Sequence, residues 1–326
     1  MTTATQILDT EPSPAVAPLA ECTDARPISA AVRLRDYSEL VKIRVTTLVV
    51  MTTWCGCYLA AVRSGVSSVS WMVLHALIGV GITKAGTAAL NEVMERDVDA
   101  RMRRTAIRPL VTGHMSMMQG LIAGLIMMFG GWIYLAVTTN WLAAVLTIAT
   151  SLAYLLAYTP LKRVHPICTF LGAFPGAMPP VVGWVAVRGR LEWPAFILFA
   201  VVFFWQFPHF YSIAWLYRED YQRAGIRMLP VVEPDGRSTA REIMAYLIAL
   251  MLTTLAAAAS GMAGQVYLLG SVALGLGYFW YGWRLATGKW DTRPAESKRR
   301  ARNLLQASVL YLPLLMALMM LNAKVY

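Results

Sequence analysis

"WMVLHALIGVGITKAGTAALNEVMERDVDARMRRTAIRPL", residues 71–110, decides the fold class. Its first half is an apolar run of membrane length, since about 20 residues of helix cover about 30 Å of hydrocarbon. Its second half gathers Glu92, Glu95, Asp97 and Asp99, with Arg96, Arg101, Arg103, Arg104 and Arg108 among and after them. A membrane-length helix therefore ends in a knot of carboxylates and guanidiniums.

The apolar half recurs along the chain. Comparable windows fall at 43–62, 71–91, 119–137, 141–158, 166–186, 194–217, 243–260, 264–286 and 303–321. Hydrophobic residues make up 57% of the 326 positions and charged residues 14%, whereas a soluble domain carries about 25% charged residues. A segment in lipid must satisfy its own backbone hydrogen bonds, so each window predicts a helix. The expected fold is an all-α, polytopic membrane bundle of nine transmembrane helices. Two long loops, 92–118 and 218–242, each open with acidic residues and lie four spans apart. That spacing suggests two four-helix repeats plus one helix, with a cytoplasm-facing cavity between the two acidic ends. Residues 1–36 read as a disordered cytoplasmic tail, being rich in Ala, Pro and Thr with no apolar signal core, and residues 37–326 as the transmembrane domain.

The net charge of +11 reflects topology. Of the 29 Lys and Arg, 24 fall in the N-terminal segment and in the loops after spans two, four, six and eight. This positive-inside bias puts the N-terminus in the cytoplasm and the C-terminus outside. Anionic lipid accounts for the basic surface, and nucleic acid is not needed as a partner. The four cysteines (Cys22, Cys55, Cys57, Cys168) show no disulfide framework and read as packing residues.

Asn91, Glu95 and Asp99 are spaced i, i+4, i+8 and line one helix face, with Glu92 on its flank. Like charges at that spacing repel unless a cation sits among them. Hard oxygen ligands in small number suit Mg2+, which binds through one or two carboxylates plus substrate phosphates. The bland alternative is a solvated helix end with ordinary charge alternation. The second loop contributes Glu219 and Asp220, then Arg223, Arg227 and a Gly225–Pro230 turn. Between the two, "YTPLKRVHP" (158–166) adds Lys162 and Arg163 as cations that could hold a diphosphate.

At these residues the chain resembles the UbiA superfamily of membrane-embedded aromatic prenyltransferases. The family's first motif, N-D-x-x-D-x-x-x-D, reads here Asn91-Glu92-x-x-Glu95-x-x-x-Asp99, with two Asp-to-Glu departures. Three blocks are similar to its haem-farnesylating branch: "ERDVDARMRRTAIRPL" (95–110), "YTPLKRVHPICTFLGAFPGAMPPVVGW" (158–184) and "WQFPHFYSIAWLYREDYQRAGIRMLPVV" (205–232). The likeness runs from about Tyr37 to the last span. The family's second motif is often D-x-x-x-D. Here Glu219 and Asp220 are adjacent, positions 216 and 224 are Leu and Ala, and Tyr217-x-x-Asp220-Tyr221 follows the haem-type pattern. "VKIR" (41–44) has Ile43 where relatives carry Pro.

The resemblance implies farnesyl transfer from farnesyl diphosphate to a vinyl group of haem B, with water addition, in a bacterial inner membrane. It implies Mg2+ held by Asn91, Glu92, Glu95, Asp99, Glu219 and Asp220, with Asn91, Glu95, Asp99 and Asp220 as the catalytic set. The diphosphate would meet Lys42, Arg44, Lys84, Arg96, Arg104, Arg108, Lys162 and Arg163. Whether a downstream haem-modifying enzyme or an oxidase assembly factor takes the product is left open.

Three further features have two readings each. His209 follows Pro208 inside span six, with Trp205 one turn before it; it either contacts haem or bonds a carbonyl freed by the proline. Lys84, seven residues before Asn91, either points into the cavity or snorkels to the interface. "PGAMPP" (175–180) is either a cavity wall or a packing kink. His75, His114 and His165 read as interfacial polar residues. A prenyltransferase for a quinone or chlorophyll-type precursor remains an alternative, as does a transporter. Transporters place ionisable groups near mid-bilayer rather than at helix ends.

Overall fold

A computed structural model describes residues 30–288 and 294–324. The chain is a helical bundle whose only extended pairing, among the described residues, is a single bridge between Ala263 and Ala323. A short α1 (Ala30–Leu40) leads into α2 (Ile43–Ser64), α3 (Trp71–Asp99), α4 (Met117–Thr138), α5 (Trp141–Leu161), α6 (Cys168–Arg188), α7 (Trp193–Leu216), α8 (Arg237–Ala259), α9 (Gln265–Ala286) and α10 (Pro294–Leu321). The tail expected at 1–36 falls mostly outside the described residues, but 30–36 already belong to α1.

Among the described residues, eight helices are long and apolar enough to cross a membrane: α2 to α8 and α10. The ninth expected crossing, 264–286, is α9. It has 22 residues, but its Gln, Ser and Arg residues and four glycines dilute its apolar character. Its ends are nonetheless tied level with its neighbours. Ala263 pairs with Ala323 at one end, and Arg300 Nη1 donates to the Arg284 carbonyl at 2.6 Å at the other.

Local sequence sets the ends of these helices. Ser70 accepts from the Val73 amide at the start of α3. Ser116 and Gln119 form a reciprocal capping box on α4. Asn140 accepts from the Ala143 amide to cap α5, and its amide also donates to the Val185 and Ala186 carbonyls at 2.9 and 3.1 Å, fastening α5 to α6. The Asn thus serves one helix start and one helix end.

The bundle closes through small residues. A side chain at Gly56 would meet the Pro180 carbonyl, and one at Gly183 the Thr53 carbonyl, so α2 and α6 touch backbone to backbone. Gly86 and Gly131 do the same between α3 and α4. Without a hydrophobic force between helices in lipid, such close packing supplies the association. The second half of the bundle, α7 to α10, packs around buried aromatics. Phe207 of α7 stacks on Tyr246 of α8 with 3.6 Å between ring centroids.

Two irregular helices shape the interior. In α6, Pro175, Pro179 and Pro180 bracket a break at Met178, and this segment walls a cavity, as one reading of "PGAMPP" expects. α5 widens into a π-helical stretch at Ala153–Tyr158. Such stretches absorb one extra residue and concentrate at functional sites.

Candidate active site

The last turns of α3 carry the acidic motif. The helix runs on through Asp99, so Asn91, Glu92, Glu95 and Asp99 are helical side chains rather than loop residues, and all four are buried. Each finds a different environment. Asn91 is held from both sides: Lys42 Nζ donates to its Oδ1 at 2.6 Å, and its Nδ2 donates to Thr159 Oγ1 at 3.1 Å. Glu95 pairs with the Lys162 ammonium, and Asp99 with the Arg108 guanidinium. Glu92 is fully buried, and neither of its carboxylate oxygens makes a hydrogen bond.

Lys42 reaches Asn91 from an unusual backbone. Its φ of 48° is the one positive value at a non-glycine position among the described residues. It lies in the turn between α1 and α2, just outside the membrane-spanning segment. Burial first, and then the nearby Arg108 guanidinium, push its ammonium down to about 7. A strained residue held in place by its surroundings is a recurring mark of functional sites.

The second loop reaches the same end of the bundle, but its acids face elsewhere. Asp220 pairs with Arg223. Glu219 accepts from Lys298 at 2.8 Å, which holds its carboxyl below the usual range. Tyr221, not the acids, meets the first motif. Its ring packs in a small core with Val98 and Met102. The Arg104 guanidinium lies 4.9 Å over the Tyr217 ring and 6.0 Å over that of Tyr221. The Arg227 amide also donates to the Lys162 carbonyl at 2.9 Å. The loops after α3, α5 and α7 are therefore knitted into one surface.

Among the cations expected at a diphosphate, Lys42, Arg108 and Lys162 converge on the motif. Arg96 instead donates to the Leu110 carbonyl at 2.9 Å and fixes the loop. Arg44 and Arg163 are exposed. Lys84 lies deeper, with its Nζ 4.6 Å above the Tyr154 ring, and lines the cavity.

That cavity has a volume of about 350 Å³ and begins one helical turn above Asn91, at Thr87. Its walls are mostly apolar, with Tyr154 and Tyr158 from the π-helical stretch on one side and His209 and Trp205 on another. His209 Nδ1 lies 2.8 Å from Ser308 Oγ, and its ring stacks on Trp205 at 4.9 Å. Trp205 Nε1 in turn donates to the Ser308 carbonyl at 2.9 Å. Sequence reading missed Thr159, Tyr154 and Ser308. The first two sit in or beside the quoted "YTPLKRVHP", whereas Ser308 lies in the last span with no motif around it.

The oxygen set suits a hard divalent cation. A buried carboxylate that its own chain leaves unsatisfied, beside a fixed carboxamide, matches Mg2+, which takes few carboxylates and leaves room for phosphate. Among the described residues no three His, Cys, Asp or Glu side chains converge on one point. The remaining motif acids are shared out among Lys162 and Arg108.

The UbiA prenyltransferase family model matches residues 49–320. A protoheme IX farnesyltransferase of Koribacter versatilis is 59% identical over 90% of this chain and 94% of its own. That of Solibacter usitatus is 44% identical over 89% and 99%. Among solved structures, a digeranylgeranylglyceryl phosphate synthase superposes with a TM-score of 0.70 at 15% identity, covering 89% of this chain and 98% of that one. A UbiA homologue from Archaeoglobus fulgidus bound to GPP and Mg2+ gives 0.54 at 18%, covering 87% and 99%. The chain belongs to the UbiA prenyltransferase family and, within it, to the protoheme IX farnesyltransferases.

Proposed function

We propose that this protein transfers the farnesyl group of farnesyl diphosphate to a vinyl group of haem B, with addition of water, to give haem O. The observation that carries the reading is the continuity of the site. A polar end with an unsatisfied carboxylate and three converging cations lies one helical turn from an apolar cavity lined by His209 and Trp205.

The chain's own groups divide the work. Lys42 and Thr159 hold Asn91 in one orientation. Lys162 and Arg108, paired with Glu95 and Asp99 in the free protein, can turn to the diphosphate oxygens as the C1–O bond of the farnesyl group breaks. Their charge offsets the negative charge that grows on the leaving group, where fixed cations act most strongly. Mg2+ held by Asn91, Glu92, Glu95 and Asp99 would supply Lewis-acid withdrawal from the same oxygens, and Glu219 and Asp220 would join it only on release from Lys298 and Arg223. The apolar walls keep water from the allylic carbon until the vinyl carbon has attacked it. His209 and Trp205 hold the haem face, and Lys84 meets the diphosphate from the cavity side. The protein would lie in a bacterial inner membrane with nine crossings, α9 included, the N-terminus in the cytoplasm and the C-terminus outside.

The test uses purified protein in detergent with haem B, farnesyl diphosphate and Mg2+. Mass spectrometry of the extracted pigment is expected to find haem heavier by one farnesyl group plus water. Unmodified haem together with prenylation of a quinone precursor would overturn the acceptor assignment.

A further inference from the structure

We propose that Ser308 fixes the tautomer of His209, with the proton on Nδ1 and a bare Nε2 toward the cavity, and so acts as the positioning residue for a haem-iron contact. The inference rests on His209 as the haem contact proposed above.

The argument is a count of protons. Ser308 Oγ lies 2.6 Å from the Leu305 carbonyl oxygen. A carbonyl can only accept, and a serine hydroxyl has one proton to give. That proton is committed to Leu305. The same Oγ lies 2.8 Å from His209 Nδ1. With its proton spent, Oγ can only accept there, so Nδ1 carries the hydrogen. The other tautomer would set the Nδ1 lone pair against those of Oγ and break one contact or the other.

In a neutral imidazole with Nδ1–H, the lone pair is on Nε2. His209 lines the cavity, and the nitrogen turned to α10 is Nδ1, so Nε2 is left for the cavity. This arrangement suits iron. Metal-bound histidines nearly always donate their second ring nitrogen to a fixed acceptor, which sets the tautomer and raises ligand basicity.

Ser308 also constrains the ring through a second path. It is fully buried, and its backbone carbonyl accepts from Trp205 Nε1–H at 2.9 Å. The Trp205 indole then stacks on the imidazole with an interplanar angle of 23°. One residue of α10 thus holds the edge of the imidazole directly and its face through Trp205.

The test binds haem B to the whole protein in detergent. It follows the iron–histidine stretching band of the ferrous complex by resonance Raman, and haem affinity by Soret titration. The band is expected in the wild type and absent in His209→Ala. Ser308→Ala is expected to keep the band at lower frequency, with haem affinity weakened about tenfold, as for other lost partners of metal-bound histidines. Ser308→Thr, which keeps the hydroxyl, is expected to restore both. A Ser308→Ala band at the wild-type frequency with unchanged affinity would overturn this inference and leave His209 as ligand. A band that survives in His209→Ala would remove both the ligand and its positioning residue, while the transferase reading stands. Wild-type protein that binds no haem would overturn the acceptor itself.

Discussion

Lys162, in the loop after α5, pairs with Glu95 on α3, and both side chains are almost fully buried. Removing one partner of a buried pair leaves an uncompensated charge, which costs about 3–5 kcal/mol. Lys162→Met is expected to lower stability by that order in denaturant unfolding and to abolish turnover. Adding Glu95→Gln to it should return most of the stability and none of the activity. Recovery of both would make the pair structural only.

Lys42 combines a strained backbone with a hydrogen bond to Asn91. A left-handed conformation costs a non-glycine residue about 1–2 kcal/mol. Lys42→Gly removes that strain along with the ammonium, whereas Lys42→Met removes the ammonium alone. Both variants are expected to lose turnover by at least tenfold, with the glycine variant more stable by about 1 kcal/mol. Equal stabilities would show that the turn does not relax.

Glu92 has no hydrogen bond to lose. Glu92→Gln is expected to leave the ligand-free melting temperature unchanged or higher, since it removes a buried, unsatisfied carboxylate. The extra melting shift that Mg2+ gives in the presence of farnesyl diphosphate should shrink. A full Mg2+ shift in the variant would take Glu92 out of the ion's ligand set.

Lys84 lines the cavity with its ammonium over the Tyr154 ring. Hydrogen bonds to charged groups contribute about 1.5–3 kcal/mol, so Lys84→Met is expected to raise KM for farnesyl diphosphate by tenfold or more. Unchanged KM and turnover would assign the ammonium to packing over Tyr154.

At the opposite end of the bundle, Glu192 accepts from Arg188 at 2.7 and 2.9 Å, from Trp184 Nε1 at 3.0 Å and from Arg190 at 3.0 Å. The Arg188 hydrogen bonds come first in holding its carboxyl down to about 2. A depressed carboxyl stabilises the fold above its unfolded value near 4.5, and that contribution is lost as pH falls from there toward 2. Unfolding midpoints measured across this window should fall more steeply for the wild type than for Glu192→Gln. Parallel curves would place the acid sensitivity elsewhere.

Most of the architecture was legible because membrane helices write their length directly into hydropathy. The 43–62 window became Ile43–Ser64, and 194–217 became Trp193–Leu216. The span at 71–91 was too short because polar residues end a hydrophobic window without ending a helix. Glu92 to Asp99 continue α3 for two more turns. The first motif was readable for the same reason, since i, i+4 spacing on a helix fixes a face. What could not be read was pairing. Nothing local tells that Lys162 chooses Glu95, that Glu219 meets Lys298, or that Tyr221 is the second loop's contact with the first motif. Those choices depend on how three loops meet. Ser308 was invisible because a serine in an apolar span has no pattern, only a neighbour 99 residues away.

The π-helical stretch in α5 also has a phase. It accommodates one residue more than an α-helix would, directly before Thr159. Without that bulge, the same residues wound as a regular α-helix would carry the extra one past Tyr158. Each side chain beyond would then turn by about 100° around the axis, the angle of one α-helical step. Thr159 would leave Asn91, and Lys162 would leave Glu95, with no site residue changed in identity. In this enclosed bundle the count of residues in one turn is as much a part of the active site as the carboxylates, and a substitution scan would never find it.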